Sequence, residues 1–157
     1  MSKAKVIGIF GGTGALGSAL SRKWSTAGHQ IIIGSRNAEK AISVAEEINT
    51  ETGNKNVIGS DLMETAKNCE IAILTVPYSS HSETLQQIKP FLGGKVLIDT
   101  TVPLSKPVTK VSLPESGSAA LEAQLILGED VHVVSALQNI GSHLVGSEDP
   151  IHAEVLV

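Results

Sequence analysis

Aromatic residues are scarce in this chain: its 157 residues include two Phe, one Trp and one Tyr, 3% in all. A core with so few rings must be filled by Ile, Val, Leu and Ala, the texture of helices laid over a buried parallel sheet. The single cysteine, Cys69, excludes an intrachain disulfide and fits a reducing compartment. No apolar run approaches the roughly 20 residues of a membrane span. Residues Met1 to Lys5 lead straight into a strand pattern, with no room for a signal peptide. The net charge is −4 and no Lys/Arg run stands out, so no basic stripe is present to displace the counterions of a nucleic acid. These absences describe a cytoplasmic protein without a nucleic-acid or membrane partner. Catalytic clusters are also missing. His29, His81, His132, His143 and His152 show no metal-ligand spacing, and there is no G-x-S-x-G elbow.

What is present is a glycine turn in a strong context. The apolar run Val6-Ile7-Gly8-Ile9-Phe10 flows into Gly12-x-Gly14-x-x-Gly17, and a helical pattern follows at once. Strand, glycine turn and helix start form the phosphate-binding entry of a dinucleotide-binding fold. Gly12 is expected to let the chain reverse. Gly14 carries no side chain to hold a pyrophosphate off the backbone, and Gly17 lets the helix press on the strand. The helix start then presents unpaired N–H groups and a positive dipole end.

Strand and helix patterns alternate along the rest of the chain. Strands are predicted at 5–10, 30–33, 56–59, 70–76, 95–99, 131–136 and 153–157. Helices are predicted at 15–27, from the cap Asn37 to Thr52, after the cap Asp61, after Ser80, and from Ser116-Gly117-Ser118 to Leu127. Asp61 with Glu64, and Ser80 with Glu83, have capping-box spacing. Pro103, Pro107 and Pro114 make 100–116 an ordered loop or lid. A short helix or turn is expected over 138–145. The alternation predicts one α/β domain, residues 1–157, with a Rossmann-type doubly wound, mainly parallel sheet and helices on both faces. Ligands of such sheets lie at the carboxyl ends of the strands.

The end of the second strand selects the dinucleotide. An NAD site places an acid there for the ribose 2′-OH. Here Gly34-Ser35-Arg36 carries none, and Lys40 lies one helical turn further on. Arg36 can clamp a phosphate through its planar fork, Ser35 can donate a hydroxyl, and Lys40 adds charge, so the pattern points to NADP. Thr75-Val76-Pro77-Tyr78 ends the central fourth strand, where ribose and nicotinamide should lie. Cys69 reads as a small buried residue, and Asp99 as the cap of the turn after a strand. A dinucleotide site without an obvious proton-transfer group fits hydride transfer between stacked rings, which needs orientation and exclusion of water more than acid–base help. No catalytic side chain and no metal ligand is assigned. Two other readings stay open: a non-catalytic NADPH-binding module acting with a partner chain, and an NADPH-dependent reductase of a flavin or another small acceptor.

The segments Gly11-Gly12-Thr13-Gly14-x-Leu16-Gly17, Ile33-Gly34-Ser35-Arg36 with Lys40, Leu74-Thr75-Val76-Pro77, Val102-Pro103-Leu104, Ser116-Gly117-Ser118-Ala119-Ala120 and Val133-Val134-Ser135-Ala136-Leu137 occur in order along nearly the whole chain. In this the sequence resembles the NADP-dependent reductases of the deazaflavin coenzyme F-420. The resemblance implies direct hydride transfer between NADPH and the deazaflavin as co-substrate. It implies that Thr13, Gly14, Ala15 and Leu16 hold the pyrophosphate, and that Ser35, Arg36 and Lys40 hold the 2′-phosphate. Val76 and Pro77 would line the ribose and nicotinamide, with Ala136 and Leu137 beside the stacked rings. Gln138-Asn139 departs from the family pattern near the deazaflavin edge. The resemblance also implies a helical segment beyond the seventh strand that walls the site and builds a dimer. The sequence ends at Val157 on an apolar pattern, for which association with a second copy is the expectation.

Overall fold

The computed structural model describes residues 3–105, 110–147 and 155–157. In chain order its elements are β1 (Val6–Phe10), α1 (Ala15–Thr26), β2 (Gln30–Gly34), α2 (Ala38–Thr52), β3 (Val57–Ser60), α3 (Leu62–Asn68), β4 (Ile71–Leu74), α4 (His81–Ile88), β5 (Val96–Asp99), β6 (Leu104–Ser105), β7 (Lys110–Val111), α5 (Ala119–Leu127), β8 (His132–Ser135) and α6 (Ser142–Val145). Six strands form one parallel sheet in the order β3-β2-β1-β4-β5-β8. The winding reverses between β1 and β4, which makes their carboxyl ends the switch point of a doubly wound Rossmann-type sheet.

The two-residue period of the strands sorts the core onto two faces. Ile7, Ile9, Ile31, Ile33 and Ile73 pack with Ala19, Leu20, Ala41, Ala45 and Ile48 of α1 and α2. Phe10, Ala72, Leu74 and Leu97 pack on the opposite face with Ala66, Leu85, Ile88 and Ala123 of α3, α4 and α5. Apart from Phe10 the buried side chains of both clusters are aliphatic or Cys69, as the shortage of rings requires. Cys69 is buried, and desolvation pushes its thiol pKa up, which suits a packing residue. Close approach of α2 to β3 depends on Gly59. A Cβ there would lie 2.2 Å from the Ala41 carbonyl carbon and 2.2 Å from the Ile42 nitrogen, both backbone atoms. Gly59→Ala is expected to cost about 1–3 kcal/mol in urea unfolding. A loss under about 0.5 kcal/mol would show that α2 lifts from the sheet freely.

Three of the helices start on side-chain caps. Asn37, Asp61 and Ser118 accept from the N–H groups of Lys40, Glu64 and Leu121. Ser80 does not cap α4 through its side chain. A 3-10 turn over Tyr78–Ser80 leads into that helix instead, and the Ser80 carbonyl accepts from the Thr84 hydroxyl at 2.7 Å. The Asp61 box is half formed, because Glu64 turns its carboxylate to Asn68 and Lys67. The lid expected over 100–116 contains an antiparallel ribbon, with Leu104 opposite Val111 and Ser105 opposite Lys110. Pro107 of that lid, His152, and residues 153–154 of the expected seventh strand lie outside the described residues; Val155 to Val157 form no strand.

Candidate cofactor cleft

A cleft of about 460 Å³ opens over the switch point. One wall is the β1–α1 turn with Thr13, Gly14, Ala15 and Leu16, and Ser35 and Arg36 stand at the end of β2. The other wall is Thr75 to Tyr78 after β4, joined by Thr100, Thr101 and Val102 after β5. Ten of the residues singled out from sequence are thus brought together: Thr13, Gly14, Ala15, Leu16, Ser35, Arg36, Thr75, Val76, Pro77 and Tyr78.

The turn is tighter than the motif alone conveys. Its left-handed residue is Gly11, with φ of 86°, and the reversal expected at Gly12 sits there. Gly12 matters for space instead, since a Cβ would lie 2.8 Å from Ile33 Cγ2. At Gly17 a Cβ would lie 2.6 Å from Gly12 Cα and 2.7 Å from the Gly11 carbonyl oxygen, so only glycine lets α1 start this close to the turn. Gly12 and Gly17 therefore back the cleft without lining it. Gly14 faces outward, where a Cβ would meet only the Gly11 oxygen at 3.3 Å. It is the N-cap of α1, and no side chain caps the helix. First-turn N–H groups without a side-chain cap, beside an open glycine, are the kind of donors that can receive a diphosphate.

The β2 end fits a second phosphate. The Ser35 hydroxyl oxygen accepts from the Asn37 N–H at 3.1 Å, which leaves its own proton free to donate. The side chains of Arg36 and Lys40 are exposed, and among the described residues neither has an ion-pair partner. Among the described residues no carboxylate stands in the cleft wall. Lys40 is a turn into α2, outside the wall. Ala136 and Leu137 also lie outside it: Ala136 is buried beyond β8, and Leu137 packs toward the α1–α2 core with φ of 69°.

Behind Tyr78 and Thr101 the structure assembles a group the sequence did not announce. His81 Nε2 lies 2.8 Å from Asp99 Oδ2, and both side chains are fully buried. Asp99 Oδ1 accepts from the Thr101 N–H at 2.9 Å, the turn cap expected from sequence. His81 Nδ1 lies 3.4 Å from Glu122 Oε2, off the hydrogen-bond axis. That same oxygen accepts from the Tyr78 hydroxyl at 2.9 Å. Burial, then the bond to Glu122 and its charge, raise the Tyr78 pKa. The period of β5 offered a clue, since it puts Asp99 on the face of Leu97, toward α4 and α5.

A Rossmann-type sheet with a glycine turn, a helix start without a side-chain cap and an exposed arginine at the end of its second strand defines a dinucleotide-binding domain. The family model for "NADP oxidoreductase coenzyme F420-dependent" matches residues 6–103, and the chain belongs to that family. It is 35% identical to an F420-dependent NADP reductase of Methanothermobacter marburgensis, over 96% of this chain and 71% of that protein. It is also 35% identical to an F420-dependent NADP reductase of Methanocaldococcus jannaschii, again over 96% of this chain and 71% of the relative. Among solved structures, a pyrroline-5-carboxylate reductase from Coxiella burnetii superposes with a TM-score of 0.64 at 17% identity, covering 90% of this chain and 47% of that one. DsGPDH of Dunaliella salina does so with a TM-score of 0.66 at 17% identity, over 91% of this chain and 31% of its own. The chain therefore spans less than half the length of these two structures, whose likeness is one of fold. Among the described residues no helix is long and apolar enough to cross a membrane.

Proposed function

We propose that this chain is an NADP-dependent oxidoreductase that passes a hydride between NADPH and the deazaflavin coenzyme F-420. The observation that carries the proposal is the cleft itself. Its diphosphate cradle and its acid-free Ser35-Arg36 end suit NADP, and the names of the archaeal relatives supply the co-substrate. When bound, NADPH supplies the hydride and the deazaflavin ring accepts it, so the protein's task is to place two rings face to face.

The α1 start with Thr13, Gly14, Ala15 and Leu16 holds the diphosphate, with Gly12 and Gly17 keeping the turn compact. Arg36, Ser35 and Lys40 hold the 2′-phosphate. Thr75, Val76, Pro77 and Tyr78 bound the ribose and the rings. Thr75 is fixed for this by two bonds to the Phe10 carbonyl, from its N–H at 2.8 Å and its hydroxyl at 2.9 Å. Ala136 and Leu137, from beyond β8, are assigned to the far side of the stacked rings. We take residues 1–157 as a single NADP-binding domain, cytoplasmic and without a nucleic-acid partner, in line with the net charge of −4. We further propose that it works as a homodimer, for which the exposed Leu113, Leu125 and Leu156 offer apolar surface.

Rapid mixing of the protein with NADPH and the deazaflavin, followed by nicotinamide absorbance, tests the reaction, with FAD and FMN as alternative acceptors. Turnover is expected with the deazaflavin. Tight NADPH binding with no turnover on any acceptor would overturn the enzymatic reading.

A further inference from the structure

Glu122, His81 and Asp99 do not line the cleft, yet they tie its two walls together from behind. Tyr78 belongs to the wall after β4 and Thr101 to the wall after β5. Between them runs a chain of polar contacts, hydrogen-bonded at every step except the one between Glu122 and His81. The Tyr78 hydroxyl donates to Glu122 Oε2 at 2.9 Å, that oxygen faces His81 Nδ1 at 3.4 Å, His81 Nε2 meets Asp99 Oδ2 at 2.8 Å, and Asp99 Oδ1 receives the Thr101 N–H at 2.9 Å. The Tyr78 and His81 rings are also in contact, with centroids 5.5 Å apart.

Burying an imidazole and a carboxylate is costly unless both are well partnered, and the fold has placed this pair directly behind the cleft. The pair is rigid because it is enclosed, with both side chains at 0% exposure, whereas Glu122 is 28% exposed. Glu122 is thus the adjustable member. Its carboxylate oxygen stands between two claimants, the phenol it already binds and a buried ring nitrogen that has no hydrogen-bond partner among the described residues. A tyrosine anchored at its hydroxyl keeps its ring in one orientation, while an unanchored one on a loop samples several.

We propose that Glu122, backed by the His81–Asp99 pair, is a positioning residue of the cleft. It holds the Tyr78 ring against the end where a nicotinamide or deazaflavin ring enters, and so sets the affinity for the ring ends of the ligands without touching them. This rests on the assignment of the cleft to NADPH, and it adds residues outside the family's glycine and phosphate signatures.

The test uses the whole chain and binding measurements that do not depend on turnover. Tyr78 is the only tyrosine, so the ultraviolet absorbance of its phenolate reads this one group. In Glu122→Gln the phenol should titrate at lower pH than in the wild type, because the carboxylate that opposes its ionisation is gone. NADPH binding, followed by nicotinamide fluorescence, should weaken roughly tenfold. Binding of the NADPH fragment that ends at the diphosphate, and so lacks nicotinamide, should stay within about twofold, since it keeps the adenosine and phosphate contacts and loses only the ring end. Tyr78→Phe, which removes one part-buried hydroxyl, should reproduce the loss, and the double variant should lose no more than either single one. Glu129→Gln, on the exposed turn after α5, serves as the surface control.

A lowered phenol titration with unchanged NADPH binding would overturn the proposal. So would equal losses for NADPH and the fragment, or additive losses in the double variant. Wild-type protein that binds NADPH but passes no hydride to the deazaflavin would refute the proposed reaction and leave the Glu122 assignment to be decided by the binding series. Wild-type protein that does not bind NADPH would refute both.

Discussion

Arg36→Ala is expected to weaken NADPH binding about a hundredfold while leaving NADH binding within about twofold. Arg36 stands at the end of β2 in the cleft wall, exposed, with no ion-pair partner among the described residues. Its exposed guanidinium pairs with no carboxylate among the described residues, so removing it should change stability by less than about 0.5 kcal/mol. What it loses is a bidentate, charge-assisted clamp on the one group that distinguishes the two cofactors. Lys40→Ala should cost less, about tenfold, because an ammonium one turn into α2 acts as a point charge across solvent. Fluorescence titration with both nucleotides measures the ratio. Equal loss for NADPH and NADH would refute the clamp and move the discrimination elsewhere.

Asp99→Ala is expected to destabilise the protein by about 3 kcal/mol. That is a large share of the roughly 5–15 kcal/mol typical of a domain. The variant strips His81 Nε2 of its 2.8 Å partner inside a site with no water access, and leaves the Thr101 N–H without its acceptor. For a chain of this size the melting temperature should fall by about 6–12 °C. Asp99→Asn keeps an oxygen for Thr101 and a polar group toward His81, so it should cost only about 1 kcal/mol. Urea unfolding of the two variants side by side measures both numbers. A loss under about 1 kcal/mol in Asp99→Ala would show that the buried pair adds no net stability.

Most of the architecture is legible in the sequence, because it rests on short-range chemistry. Asn37 and Gly53 bound α2 as expected, one as a side-chain cap and the other in the left-handed conformation at φ of 69°. Strand ends moved by a residue or two. β4 stops at Leu74 rather than Val76, and Thr75 closes its ladder to β1 with the N–H and the hydroxyl both donated to the Phe10 carbonyl. The spacing of Ser80 and Glu83 suggests a side-chain cap but carries no information about the 3-10 turn ahead of it. The ribbon of β6 and β7 was hidden by three prolines, which mark a loop without telling whether its arms pair.

The composition, the glycine turn and the Gly34-Ser35-Arg36 ending were enough to specify a parallel α/β domain and the chemistry of its phosphate ends. Each depends on residues that lie within one strand, turn or helix start, so spacing alone expresses it. The group behind Tyr78 could not be read that way. His81, Asp99 and Glu122 come from α4, β5 and α5, and only the strand order, the period of β5 and the packing of both helices on one face bring them within hydrogen-bonding reach. Long-range register has no local signature, and so the positioning of the ring end of the cleft was decided by the tertiary structure.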